Sequence, residues 1–151
     1  MPTRRETLKR SALVAGLLAA TGLFPQYEFA FNKAAFEAKN LADVMKALGA
    51  SAPTESKDVA IGGPDIAENG AVVPLTASTT LAGVKHLLIL VEKNPSVLVA
   101  QFNVTDAVDA NFATRSKMGQ SSDVYAVAIM ADGKSFFAKK EVKVTLGGCG
   151  G

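Results

Sequence analysis

Residues able to do covalent chemistry are scarce in this chain: one cysteine, Cys149, and one histidine, His86, among 151 residues. Cys149 stands in the run Val144-Thr145-Leu146-Gly147-Gly148-Cys149-Gly150-Gly151. A thiolate is a nucleophile and can hold a sulfur atom or another group covalently. With no second cysteine, an intramolecular disulfide is excluded. After Leu146 the thiol is the only side chain, because glycine carries no Cβ and leaves the backbone thin and conformationally permissive. Five such residues span at most about 17 Å when extended. Glycine-rich ends are commonly frayed ends, and free cysteines are commonly buried hydrophobes. Here no neighbouring side chain exists to bury the sulfur, so the pattern points to an exposed, working thiol on a narrow arm. No charged group stands in the arm to activate it, so activation must come from another protein's site.

Other chemistry finds little support. His86 lies within an apolar stretch and reads as a packing or interface residue. A catalytic arrangement pairing it with Cys149 has no supporting motif. One histidine and one cysteine without ligand spacing do not form a metal site. Gly62-Gly63-Pro64 lacks the features of a phosphate loop. Asp65 and Glu68 read as solvated loop acids.

The elements that must position the thiol come next. Hydrophobic residues make up 48% and charged residues 20% of the chain, as in a packed domain. A helix is predicted from about Asn32, a candidate N-cap, to Leu48, with Gly49 as C-cap. Leu41, Val44, Met45 and Leu48 share one face of it, and Phe36 extends that face. Strands are predicted over Lys57–Ile61, Ala71–Thr79, Val84–Glu92, Val97–Val104, Phe112–Met118, Asp123–Ala131 and Lys134–Leu146. Pro74 places the second of these at an edge or a bulge. The nearly continuous apolar run of Val84–Glu92 suits a central strand. Asp132-Gly133 is the strongest hairpin signal, and Asp65-Ile66-Ala67-Glu68-Asn69-Gly70 reads as loop. About seven strands with regular turns predict an all-β, immunoglobulin-like antiparallel sandwich with one N-terminal helix. The tryptophan and inter-sheet disulfide of that fold are absent, so aliphatic and phenylalanine packing must supply the core.

The N-terminal stretch is of a different kind. Thr3-Arg4-Arg5-Glu6-Thr7-Leu8-Lys9-Arg10 is followed by a mostly apolar run from Ser11 to Phe24 and then Pro25. A basic region before a short apolar region marks a secretory signal, and the run is short for a membrane span. Arg4 and Arg5 resemble the pair of the twin-arginine export signal, although Thr7 stands where phenylalanine is usual. Residues 1–30 are thus read as a signal peptide, 31–146 as a helix-plus-sandwich domain and 147–151 as a carrier arm. Export would place the protein in the periplasm, free of the membrane after cleavage. Removing residues 1–30 takes four of 16 basic and two of 14 acidic residues, leaving twelve of each. A near-neutral mature chain without a basic patch gives no support to nucleic-acid binding.

Gly147-Gly148-Cys149-Gly150-Gly151 after an export signal and a predicted seven-strand sandwich resembles the SoxY family, sulfur carriers of the periplasmic thiosulfate-oxidising Sox system. Asn32-Lys33-Ala34-Ala35-Phe36-Glu37, Pro64-Asp65-Ile66-Ala67-Glu68-Asn69-Gly70 and Lys117-Met118-Gly119-Gln120 are similar to stretches of that family, so the resemblance spans the whole chain. It implies a carrier subunit rather than an enzyme, with sulfur intermediates of thiosulfate oxidation attached to Cys149. Gly147, Gly148, Gly150 and Gly151 would form the swinging arm. It also implies a heterodimer with a SoxZ-like sandwich subunit and transient visits to haem-, manganese- and molybdenum-containing enzymes, with no cofactor or metal in this chain. For the SoxZ contact, the apolar Val84–Val91 strand is the expected surface. The competing reading is a secreted binding module whose odd cysteine makes an intermolecular disulfide.

Overall fold

A computed structural model describes residues 3–20 and 32–145. The chain divides into two units, Met1–Phe31 and Asn32–Gly151. In the first, α1 (Arg4–Ala20) begins with a reciprocal cap: Glu6 N donates to Thr3 Oγ1, and Thr3 N donates to Glu6 Oε2 at 3.1 Å. Arg4 and Arg5 are exposed in its first turn. Among the described residues no helix is long and apolar enough to cross a membrane.

The second unit opens with two short helices, α2 (Lys33–Glu37) and α3 (Leu41–Ala47), instead of one helix from Asn32 to Leu48. The break has a local cause. Ala38 is extended (φ −61°, ψ 144°), and Asn40 caps a new helix, its side chain accepting from Asp43 N at 2.8 Å. Asn32 is the expected cap of α2: its Oδ1 accepts from Ala35 N at 3.1 Å. Its Nδ2 donates to Ala47 O at 2.8 Å, so one side chain joins the start of α2 to the end of α3. Gly49 follows with φ +67°, the left-handed conformation expected of a C-terminal cap.

Among the described residues nine strands follow: β1 (Thr54–Glu55), β2 (Val59–Gly62), β3 (Ile66–Ala67), β4 (Val73–Thr79), β5 (Val84–Val91), β6 (Leu98–Asn103), β7 (Asn111–Ser116), β8 (Ser122–Met130) and β9 (Ser135–Val144). The larger sheet has the order β1-β9-β8-β5-β6, with β3 also on β9, and the smaller one the order β2-β4-β7. The seven long strands are those predicted, and their order is that of an immunoglobulin-type sandwich: A-B-E as β2-β4-β7, and G-F-C-C′ as β9-β8-β5-β6. β8 and β9 join through Asp132-Gly133, where Gly133 takes φ +86° and Asp132 Oδ1 accepts from Lys134 N at 3.0 Å.

One expectation about an individual strand holds locally and another is corrected. β4 is the middle strand of its sheet, yet at Pro74 it has a neighbour on one side, as at an edge. Pro74 is tolerated because β2 ends at Gly62 opposite Thr76, so at Pro74 only β7 flanks the strand, with Arg115 as register partner. The Val84–Val91 strand is no exposed apolar surface. Leu87, Ile89 and Val91 face the inter-sheet core, and Leu88 and Leu90 face the helices; all five are fully buried. A strand covered on both faces must be apolar at every position, which explains the run without a partner subunit.

Two cores result. Between the sheets, Val59, Val73, Leu75 and Ala77 meet Leu87, Ile89, Val91, Val124, Ala126, Ala128 and Val142. On the outer face of the larger sheet, Ala35, Ala38, Val44 and Met45 of the helical segment cover Leu88, Leu90, Leu98, Val127 and Ile129. Full burial of each leucine contributes about 1.5–3 kcal/mol. Among the described residues the buried hydrophobic side chains are aliphatic or methionine, and phenylalanines pack around their margin. Phe102 of β6 stacks on Phe112 of β7, with centroids 4.5 Å apart and planes 2° apart, linking the two sheets.

Candidate functional site

Cys149 and its flanking Gly147, Gly148, Gly150 and Gly151 lie outside the described residues. What the structure defines is the stretch of β9 before that tail, and it is held from two sides. Val144 N, at the end of β9, donates to Ser121 Oγ at 2.9 Å. On the other side, Lys143 N donates to Asp65 O at 3.0 Å and Thr145 N to Ala67 O at 3.1 Å. These last two bonds belong to a parallel ladder pairing Ile66 with Lys143 and Ala67 with Val144. The stretch Asp65–Gly70, read from sequence as loop, therefore contains strand β3.

The chain reaches β9 by leaving the smaller sheet at Gly62-Gly63. A Cβ on Gly63 would lie 3.1 Å from Leu75 Cδ2 and 3.5 Å from Pro74 O, so the absence of a side chain allows this close crossing. Lys140 locks the crossing in place. Its Nζ donates to Gly63 O at 2.6 Å and lies 2.8 Å from Asp65 Oδ1. The hydrogen bond from Lys140, reinforced by its charge, holds the Asp65 carboxyl below its ordinary pKa of 3.8. Asp65 is solvent-exposed as expected, but it is paired; Glu68 is exposed.

The same end of the sandwich gathers two more connections. Lys93 N donates to Ser122 Oγ at 3.1 Å, and Asn94 Nδ2 to Lys117 O at 2.7 Å. A hollow lined by Asn94, Pro95, Ser96, Lys117 and Gly119 lies between them. Met118, from the stretch Lys117-Met118-Gly119-Gln120, is fully buried, and its amide donates to Gly70 O at 2.7 Å. Two of the sequence stretches singled out above thus meet beside the tail root.

His86 sits far from this end. It pairs in register with Asn103, and its Nδ1 lies 2.9 Å from Asn103 Oδ1. Burial lowers its pKa from 6.5, against the raising effect of the Asn103 bond and with a further lowering by Lys85. Among the described residues no group of histidine, cysteine, aspartate or glutamate could hold a metal ion. Lys140, Ser121 and β3 were missed from sequence; the contacts of the first two depend on register, and β3 is only two residues long.

The family model of sulfur oxidation protein SoxY matches residues 44–149, a span that runs from α3 through Cys149. The chain belongs to the SoxY family. Among solved structures it is similar to the sulfur carrier protein SoxY from Chlorobium limicola f thiosulfatophilum, at 35% identity over 71% of this chain and 97% of that one, with a TM-score of 0.64. A superoxide reductase (neelaredoxin) from Ignicoccus hospitalis aligns at 17% identity over 60% of this chain and 82% of that one, with a TM-score of 0.52, a likeness of fold alone. No curated protein sequence matches. Membership in the SoxY family ties the chain to sulfur oxidation.

Proposed function

We propose that this chain is a covalent carrier in thiosulfate oxidation, holding sulfur intermediates as S-linked adducts on Cys149 and presenting them to partner enzymes. The observation that carries this reading is the family match through residue 149, which brings the lone cysteine into the span shared with sulfur oxidation proteins. The glycines on both sides, and a root tied down at Val144 and Thr145, suit a thiol delivered from a fixed point. The chain itself is a carrier subunit, not an enzyme, and needs no cofactor.

The Cys149 thiolate and the sulfane sulfur of thiosulfate form a sulfur–sulfur bond, and two electrons leave to a haem-containing oxidase. Water then attacks the terminal sulfonate sulfur of the adduct at a manganese-containing hydrolase. The bond from sulfonate to sulfane sulfur breaks, sulfate leaves with the water oxygen, two protons are released and a persulfide anion remains on Cys149. The outer sulfur of that persulfide is then oxidised to a sulfonate, with three waters supplying the oxygens, six protons released and six electrons passing to a molybdenum-haem dehydrogenase; a second hydrolysis releases sulfate and two protons and returns the Cys149 thiolate. A SoxZ-like sandwich subunit completes the carrier as a heterodimer. Residues 1–30 direct periplasmic export by the twin-arginine route, with Arg4 and Arg5 read by the export receptor; replacing both by lysine retains the full-length precursor in the cytoplasm.

The deciding experiment is intact mass spectrometry of the mature protein, alone and after incubation with thiosulfate and periplasmic extract of the native host. A carrier gains reducible additions of thiosulfate and sulfur that map to Cys149 and vanish in Cys149→Ser. A chain that yields only a reducible dimer is a disulfide-linked binding module, and the carrier reading falls.

A further inference from the structure

We infer that the exposed apolar side chains of the loop from Ile66 to Val72 form the surface on which the enzymes serving Cys149 dock, through an apolar rim around their active-site mouths. The inference rests on the carrier reading and adds the place of contact. Its basis is reach. Thr145 is bonded to Ala67, and from Thr145 to Cys149 there are four residues, which span at most about 14 Å in any conformation. An enzyme that takes the thiol into its site must therefore sit against the surface around Thr145.

The sandwich has two ends, and only one qualifies. β8 is nine residues long, so its ends are about 30 Å apart. The tail root, β3, and the connections around Asn69, Asn94 and Met118 lie at one end; the β5 start, the β6 end and the Asp132-Gly133 turn lie at the other. In the sandwich unit the described large apolar residues left exposed are Ile66, at 56%, Val72, at 53%, and Val108, at 47%. Ile66 is the register partner of Lys143 beside the root, and Val72 closes the same loop through its amide bond to Asn69 O. Val108 lies beyond β6 at the distant end.

The charges nearest the root also favour an apolar contact. Lys140 and Asp65 neutralise each other, and Lys143 and Glu68 are exposed charges of opposite sign on the two strands of the ladder and its continuation. A partner recognising this region therefore gains from covering Ile66 and Val72, not from a net charge, and enzymatic loading should change little with ionic strength.

The test measures the initial rate of thiosulfate addition to Cys149 by intact mass, with native-host periplasmic extract as enzyme source and carrier concentration as the variable. Ile66→Ser combined with Val72→Ser should raise the KM for carrier about tenfold with kcat unchanged. Alkylation of Cys149 by iodoacetamide and thermal stability should stay at wild-type values, and Val108→Ser should behave as wild type. An unchanged KM in a folded double variant overturns the docking surface; so does dissociation of a subunit complex by that variant, which would make the loop a subunit interface. If the double variant is unstable, Ile66→Thr alone must raise KM, or the inference fails. Loss of addition in Cys149→Ser alongside an unchanged KM in the double variant refutes only the docking surface, whereas undiminished addition in Cys149→Ser refutes the carrier reading.

Discussion

Lys140 Nζ lies 2.8 Å from Asp65 Oδ1 and donates to Gly63 O at 2.6 Å, so one lysine of the last strand clasps the segment that pairs with the end of that strand. The backbone ladder alongside, from Lys143 N to Asp65 O and Thr145 N to Ala67 O, sets where the tail leaves the sandwich. Exposed ion pairs add little to global stability, so the effect of this clasp should be local.

Asp65→Asn removes the charge and keeps the backbone ladder. At neutral pH the Lys143 and Thr145 amides should exchange with solvent faster in the variant than in the wild type, while the unfolding midpoint barely moves. The sign of the pH effect follows from the lowered pKa of Asp65. A folded-state pKa below the ordinary 3.8 means the contribution is present above that value and lost as pH falls through the lowered one. Wild-type exchange at these amides should therefore approach that of the variant only in acid. Equal exchange at neutral pH would show that the pair holds nothing in place.

Asn40 is the second cap, and it is what divides the predicted single helix. Its Oδ1 accepts from Asp43 N at 2.8 Å and its Nδ2 donates to Asp43 Oδ2 at 2.7 Å. Asn40→Ala should cost about 1 kcal/mol in denaturant unfolding, and Asn40→Ser, whose hydroxyl oxygen still accepts from Asp43 N, distinctly less. Should the alanine variant match the wild type, α3 would owe its start to packing of Val44 and Met45 alone.

How far the fold could be read from the sequence is best seen by comparing particular elements. The seven long strands were legible because each is several residues long and bounded by turn chemistry, as at Asp132-Gly133. β1 and β3 were not: each has two residues, and each exists only through a parallel pairing with β9, seventy or more positions away. The division at Ala38–Asn40 was hidden because alanine and lysine suit a helix interior, and only Asn40 signals a restart. Val84–Val91 was read correctly as a central strand but wrongly as a subunit surface, since its sequence does not say that α2 and α3 cover the second face. At the site, the reading of Cys149 rests on its glycine surroundings and concerns residues outside those described. Lys140 was not, because its partners depend on how β3 registers against β9.

Leu88 tests the division of β5 between two cores. It is fully buried and faces the helices, whereas its neighbours Leu87 and Ile89 face the opposite sheet. Leu88→Ala should cost about 2–5 kcal/mol and leave a cavity under α2 and α3. Amide exchange in those helices should rise more than in β4 and β7. Uniform loosening of all elements would mean that the helical segment and the sandwich form one indivisible core.

The last prediction concerns the glycines around the thiol. Gly148→Val together with Gly150→Val keeps Cys149 in place but gives the arm two β-branched side chains, which widen it and restrict its backbone. The substitutions lie beyond Thr145, the last residue described, whose amide is bonded to Ala67 O, and unfolding should be unaffected. A small alkylating reagent needs only an exposed sulfur, and its rate should stay near that of the parent. On the proposed carrier function, enzymatic loading takes the sulfur and both flanking residues into a confined site, and its rate should fall at least tenfold, the equivalent of about 1.4 kcal/mol in the barrier. The comparison of the two rates separates access from delivery. If the double valine variant is loaded by thiosulfate and native-host extract as fast as the parent, the glycines are not there to pass the thiol through narrow openings, and the arm needs another explanation.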